Sequence, residues 1–334
     1  MKARKFDTIL FHAKCADGIG GSWVFWRENK KLYDSGKVKI TGCVRDQPPP
    51  DVTSQRVVIV DFCYSVSDLL NMAKQCKSLL IIDHHESAKQ EVEEAISKFI
   101  FPKNISFILD TTKSGAQLAW EYVYPTEPRP WFIDVIASRD LWTWSDPDHK
   151  ILSTVLYKKG YYDWDKLEDL YHSTLSPQDR LQTIEHLKSL GSREMLELDK
   201  SVASSCHNSF LTTYTSPSGS TYRVRLATCD RKIRSEVGNK LSEDCDFAVI
   251  WQYDFLLDQF WCAARASDTN DIDLASIMRQ HGGGGHRKAA SFVIDGAKGE
   301  KLQTYFSLAE VPDHRVNDAI KYGILSPEDL EAAS

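Results

Sequence analysis

The chain has 334 residues, 42% of them hydrophobic and 26% charged, and a net charge of -6 at neutral pH. That length suits two ordinary domains with at least one sizeable core, and the composition excludes a disordered polymer or a coiled coil. The acidic balance disfavours a protein that coats long duplexes, while a short anionic ligand in a local cationic or metal-lined pocket stays compatible with it.

From the N-terminus, "FDTILFH" reads as a strand, followed by "AKCADGIGG" and the helical "SWVFWRENKKL". "RVVIVDF" is the second strand and leads to "SVSDLLNMAKQC", where Ser65 or Ser67 caps a helix. "SLLIID" is the third and "SFILD" the fourth, the latter running through "TTKS" into "GAQLAWEYVY". Strands alternating with helices predict an α/β fold with a mostly parallel sheet flanked by helices over 1–150. A helical connector follows over 151–206, with Ser176 and Pro177 as a cap and first-turn pair. Strand runs around a helix at 272–280 then predict a second, smaller α/β domain over 207–300, and 301–334 read as a C-terminal tail whose "SPEDLEAAS" starts with a capped helix. No apolar run is long enough to span a membrane and the N-terminal run is too short for a signal peptide, so a cytoplasmic chain without membrane partners is expected. Eight cysteines without a C-x-x-C pair argue against a zinc ribbon or a disulfide framework and read as reduced, mostly buried thiols.

In an open parallel sheet, ligands bind beyond the carboxyl ends of the strands. The titratable residues gather there: His12 with Asp17 five residues on, then Asp61, then Asp83, His84 and His85, then Asp110. Taken singly, Asp61 reads as a turn or cap, His12 as a core residue, and Asp110 in "DTTKS" as ordinary turn chemistry. Capping does not explain three successive strands ending in ligand-type residues. Carboxylates brought that close repel one another unless a cation neutralises them, so the pattern asks for a divalent metal. Mixed Asp and His donors suit Mn²⁺ or Mg²⁺, and a shared carboxylate can bridge two ions roughly 4 Å apart. In "DVIASRDLWTW", Asp140 on its own reads as a cap at a helix end. The glycines of "HGGGGHRKAASF" let backbone N–H groups approach an anion, with His286 and Arg287 adding donors; the bland reading is a flexible loop. Trp23, Trp26, Trp142 and Trp144 lie near these loops and read as core packing before base stacking.

"IIDHHES" resembles the signature of the DHH phosphoesterase superfamily, and the resemblance extends to "FHAKCADGIGG", "VIVDF" and "IASRDLWTW". "AARAS" and "GGGGHRKAASF" are similar to the DHH-associated substrate-binding domain of oligoribonuclease-like members, so the motifs run in order over roughly residues 6 to 295. The resemblance implies metal ligation by His12, Asp17, Asp61, His84 and Asp140, with Asp61 bridging. It implies that Asp83 orients its neighbour and that His85 faces the phosphate or the attacking water, making Asp61, Asp83 and His85 the catalytic set. Gly283, Gly284, Gly285 and His286 would clamp substrate, and Arg265 would grip a phosphate. The chain departs from the family in two places. Cys15 takes the first carboxylate position, as a soft ligand favouring Zn²⁺ or as no ligand, and Ser291 stands where a glycine is common.

The activity implied is hydrolysis of short single-stranded oligonucleotides or small nucleotides to mononucleotides by metal-activated water, with Mn²⁺ ahead of Mg²⁺ or Zn²⁺. Cyclic or linear dinucleotides and bisphosphorylated nucleotides are the alternative substrates. The rival of another class is a nucleotide-binding regulatory module with weak turnover, and a polyphosphate phosphatase is the third reading.

Overall fold

The structure is a computed structural model and describes residues 6–308 apart from 14, 46, 99 and 145. The chain divides into two compact units, 1–196 and 197–334. The helix expected in "SPEDLEAAS" lies outside the described residues.

In the first unit, β1 (Thr8–His12), α1 (Ala16–Asp34), β2 (Lys39–Cys43), β3 (Arg56–Val60), α2 (Val66–Gln75), β4 (Ser78–Asp83), α3 (Glu86–Lys98), β5 (Ile105–Leu109), α4 (Gly115–Val123) and α5 (Trp131–Asp140) follow one another. The sheet order is β2-β1-β3-β4-β5, and every pair is parallel. Side chains alternate between its faces, which splits the apolar runs of β3 and β4 into two cores. Val58, Val60, Leu80 and Ile82 pack with Trp23, Phe25, Trp120 and Phe132 on one face. Val57, Ile59, Leu79 and Ile81 pack with Leu69, Met72 and Val92 of α2 and α3 on the other.

Three further helices, α6 (Pro147–Lys158), α7 (Trp164–Thr174) and α8 (Pro177–His207), cover the stretch read as a connector. Leu152, Val155, Leu167 and Leu187 join the first core, so α6, α7 and the first part of α8 pack on the first unit, while Val202 and Cys206 near the end of α8 pack on a core of the second. Ser65 caps α2 by accepting from the N–H of Asp68, and the N–H of Asp179 donates to Ser176 Oγ at the start of α8.

The second unit holds β6 (Phe210–Thr215), β7 (Thr221–Ala227), α9 (Arg234–Leu241), β8 (Phe247–Asp254), β9 (Gln259–Arg265), α10 (Leu274–Arg279), β10 (Gly284–His286), β11 (Ala289–Asp295), α11 (Leu302–Tyr305) and β12 (Phe306–Leu308). They form one mixed sheet in the order β10-β11-β9-β8-β7-β6-β12, parallel only between β7 and β8. One face packs on α10 through Leu274, Ile277 and Met278, and the other on α9 through Val237 and Leu241. Strand β12 lies in the stretch read as tail and joins the sheet edge beside β6. The glycine-rich run is not a loop throughout: Gly284–His286 are strand β10, paired with β11. Among the described residues, no helix is long and apolar enough to cross a membrane.

Candidate metal centre

Parallel strands end on the same side of a sheet, so β1, β3 and β4 deliver His12, Asp61 and the Asp83–His84–His85 run to one rim. Two close backbone approaches shape it. A side chain at Gly18 would meet the carbonyl oxygen of His12 at 2.2 Å, which lets the first turn of α1 sit directly on the end of β1. A Cβ at Gly115 would lie 2.7 Å from the Cβ of Asp61, so α4 also starts against the rim. Asp61 itself has φ of 66°, a left-handed conformation uncommon for a non-glycine residue and often found at functional sites.

Nε2 of His84 is the focus of the cluster. It lies 3.1 Å from Asp61 Oδ1, 3.3 Å from Asp140 Oδ2 and 3.6 Å from Asp17 Oδ2. One imidazole N–H can serve one of those acceptors well, so three carboxylates around it are poorly satisfied by protons alone. Asp61 turns its other oxygen, Oδ2, towards His12 Nδ1 at 3.4 Å; both atoms are buried and neither makes a hydrogen bond of good geometry. The donor atoms of His12, Cys15 and Asp61 lie within 4.8 Å of one another, as do those of Asp17, His84 and Asp140. Asp61 therefore contacts both triads, one oxygen to each.

Asp17 is fully buried, and its carboxylate accepts the N–H groups of Gly115 at 2.5 Å and Ala116 at 3.0 Å. Those are N–H groups at the start of α4, which no carbonyl within the helix can take, and they favour an anion. Asp83 is also fully buried; Oδ1 accepts the backbone N–H of His84 at 2.8 Å and of His85 at 3.3 Å, and pairs with His85 Nδ1 at 2.8 Å. That last bond fixes the plane of the His85 ring. Asp140 is the last residue of α5, where the helix dipole disfavours a carboxylate, so it is not the helix cap that residue type alone suggested. Asp110 accepts the N–H and hydroxyl of Thr112 and closes a turn, as its residue type implied.

The electrostatics show how much the rim needs positive charge. Burial, reinforced by Asp61 and Asp140, pushes the Asp17 carboxyl well above its usual range, and burial with the Asp61 charge raises Asp140. Burial would raise Asp61 too, but the adjacent His12 and His84 imidazoles hold it well below the usual range. Burial opposes charging of the two imidazoles, yet the surrounding carboxylates win and raise His12, and raise His84 strongly. The raised imidazoles show that the rim favours positive charge, which a divalent cation would supply through the same atoms. The donor set therefore fits divalent metal.

The second unit places its expected residues in one row. Arg265 pairs in register with Ala289, which pairs with His286, and Gly285 sits opposite Ala290. The Arg265 side chain crosses α9: a Cβ at Gly238 would meet its Cγ at 2.7 Å, and Nη2 donates to Ser235 Oγ at 3.0 Å. Gly283 approaches the carbonyl of Ser291 so closely that a Cβ would lie 2.0 Å from it. Arg287 is engaged with Asp271 at 2.6 Å, away from the anion-binding role its position suggested. Trp23 and Trp26 are core residues as expected, but Trp142 and Trp144 are half-buried, edge to face at 5.1 Å, immediately after Asp140. Sequence reading missed the part played by Gly115 and Ala116 in holding Asp17. Its trace is the capping box of Ser114 and Gln117, which marks where those N–H groups begin.

No family model matches the chain. Uncharacterized protein R106 of Acanthamoeba polyphaga mimivirus is 26% identical over 309 residues, 88% of this chain and 68% of that protein. Among solved structures, the chain is similar to the pGpG-specific phosphodiesterase PggH of Vibrio cholerae, at 14% identity and a TM-score of 0.44, over 95% of this chain and 98% of that one. It is also similar to RecJ of Thermus thermophilus in complexes with Mn²⁺ and Mg²⁺, at 12% identity and TM-scores of 0.43 and 0.37. The match covers 87% of this chain but 49% and 47% of the RecJ chains, about half their length.

Proposed function

We propose that the chain is a divalent-metal phosphoesterase of the DHH type. Within that class, we infer a phosphodiesterase that releases mononucleotides from short single-stranded oligonucleotides or small nucleotides. The observation that carries this reading is the convergence of three carboxylates on His84 Nε2, with Asp61 turning its second oxygen to His12.

His12, Asp17, Asp61, His84 and Asp140 would hold the metal, Asp61 bridging two positions. Bound there, divalent ions supply Lewis-acid polarisation of phosphoryl oxygens and acidify water, with Mn²⁺ or Mg²⁺ suited to the oxygen-rich donors. Asp83 holds His85 by Nδ1, which leaves Nε2 as the ring atom that exchanges a proton with the phosphoryl group or the leaving oxygen. The N-terminus of α4 keeps Asp17 in place as charge at the rim changes. In the second unit, Arg265, His286 and Gly283 to Gly285 would bind the rest of the substrate, a guanidinium and backbone donors suiting phosphate. The net charge of -6 supports short substrates over long duplexes.

The test is product formation in Mn²⁺ from linear dinucleotides, RNA ladders, cyclic dinucleotides and 3′,5′-bisphosphorylated adenosine, with Asp61→Ala as control. Mononucleotide release that vanishes in Asp61→Ala is the expected result. Nucleotide binding without release in wild type would favour a regulatory module, the reading that Cys15 in a carboxylate position supports.

A further inference from the structure

The two donor triads are chemically unlike. Asp17, His84 and Asp140 offer two carboxylates and an imidazole, whereas His12, Cys15 and Asp61 offer an imidazole, a thiol and one carboxylate. Cys15 is the N-cap residue of the 19-residue helix α1, in extended backbone, and its side chain makes no cap hydrogen bond. Such a position normally carries an oxygen that accepts from the helix. Here the thiol is half-buried and within 4.8 Å of the His12 and Asp61 donor atoms. Asp61 is 1% exposed, and its Oδ2 is a buried oxygen without a hydrogen bond, turned to this triad. Nδ1 of His12, 3.4 Å away, is in the same condition. A buried acceptor, a buried ring nitrogen and a thiol at a helix N-terminus together describe a cation position with a soft ligand.

We propose that Cys15 is a metal ligand, and that the His12–Cys15–Asp61 position selects Zn²⁺ while the Asp17–His84–Asp140 position takes a harder ion such as Mn²⁺ or Mg²⁺. This rests on the metal-centre reading above and assigns different ions to its two halves. Nitrogen, sulfur and one carboxylate oxygen form a small set of the kind that suits four-coordinate Zn²⁺, and thiolate discriminates against Mg²⁺ and Mn²⁺. Ligation exchanges the S–H proton for the ion, and the proton leaves to bulk water; the N-terminus of α1 favours the resulting anion. Asp61, with an oxygen in each triad, bridges the unlike ions.

The experiment is a Co²⁺ titration of the full-length, metal-stripped protein followed by absorption. Wild type should develop a sulfur-to-cobalt charge-transfer band that saturates at one equivalent and is abolished by Zn²⁺ but not by Mn²⁺. Cys15→Ser should lose the band and bind Zn²⁺ at least about tenfold more weakly. Cys15→Asp, which supplies a carboxylate in place of the thiol, should keep the visible cobalt spectrum, lack the sulfur band and shift its preference from Zn²⁺ towards Mn²⁺. Cobalt bound without a sulfur band in wild type, or a band that persists in Cys15→Ser, overturns this assignment alone. No cobalt bound to wild type overturns it together with the metal centre.

Discussion

At the rim of the first sheet, three carboxylates converge on one imidazole nitrogen. In the second unit, the cationic side chains around the glycine-rich segment already have acceptors: Arg265 donates to Ser235, Arg287 to Asp271, and Lys288 to the carbonyls of Ser267 and Asn270. The first arrangement is strained without a cation, because buried like charges raise one another's cost. The second is complete as it stands, so a ligand there must compete with existing bonds. Under the proposed function, a centre that demands an ion would supply the chemistry of phosphoester hydrolysis and the donor-rich second unit would supply positioning.

The sharpest way to break this division is Asp61→Ala. It removes the one carboxylate that touches both triads, and turnover should fall about a thousandfold or more while the nucleotide binding proposed for the second unit should persist. Equal loss of nucleotide binding and turnover would show that the two regions are not separate in function. Asp83→Ala acts one step back from the chemistry. It frees the His85 ring and should lower kcat by roughly 10–100-fold with metal content unchanged, measured by steady-state kinetics beside metal analysis. Arg265→Ala should instead raise KM by about tenfold or more and leave metal binding intact. A pure kcat effect from Arg265→Ala would move it from positioning into chemistry.

The pH dependence of stability separates the regions more gently. His12 and His84 are held above the ordinary imidazole value of 6.5 by neighbouring carboxylates, against the opposing effect of burial. Their stabilisation is fully present below 6.5 and is lost as pH rises through the raised values. Asp17 and Asp140, raised above 3.8 chiefly by burial, act in the same direction from lower pH. Asp61, held below 3.8, contributes above that value and loses its share only in stronger acid. Chelated protein should therefore lose melting temperature as pH climbs above 6.5. In excess Mn²⁺ the same climb should increase stabilisation, since ligands must be deprotonated to bind, reaching about 2.7 kcal/mol at a hundredfold excess over Kd. Thermal melts across pH with chelator and with Mn²⁺ check this, and parallel slopes would contradict it.

What could be read in the sequence follows from how strongly each segment is buried. β3 and β4 are apolar on both faces and stand out as "RVVIV" and "SLLIID", and their ends exposed most of the rim. β2, "KITGC", is largely exposed at a sheet edge and carries almost no apolar signal, and β10 is "GGH", whose pairing comes from backbone alone. α9 is short and has few apolar residues, so it shows no strong helical period. At the centre, His12, Asp61 and His84 were visible as strand-end residues. Asp140 was reached only through the family resemblance, because by residue type alone a carboxylate at a helix end resembles a cap; the fold brings the end of α5 to His84. The grip of Gly115 and Ala116 on Asp17 uses backbone N–H groups, which no residue identity announces.

The most direct test of the central claim is metal analysis of the purified full-length chain after loading with Mn²⁺ and removal of excess ion, beside Asp61→Ala treated identically. The account predicts Mn²⁺ retained by wild type and largely lost from Asp61→Ala. Wild-type protein that retains no divalent ion would contradict it.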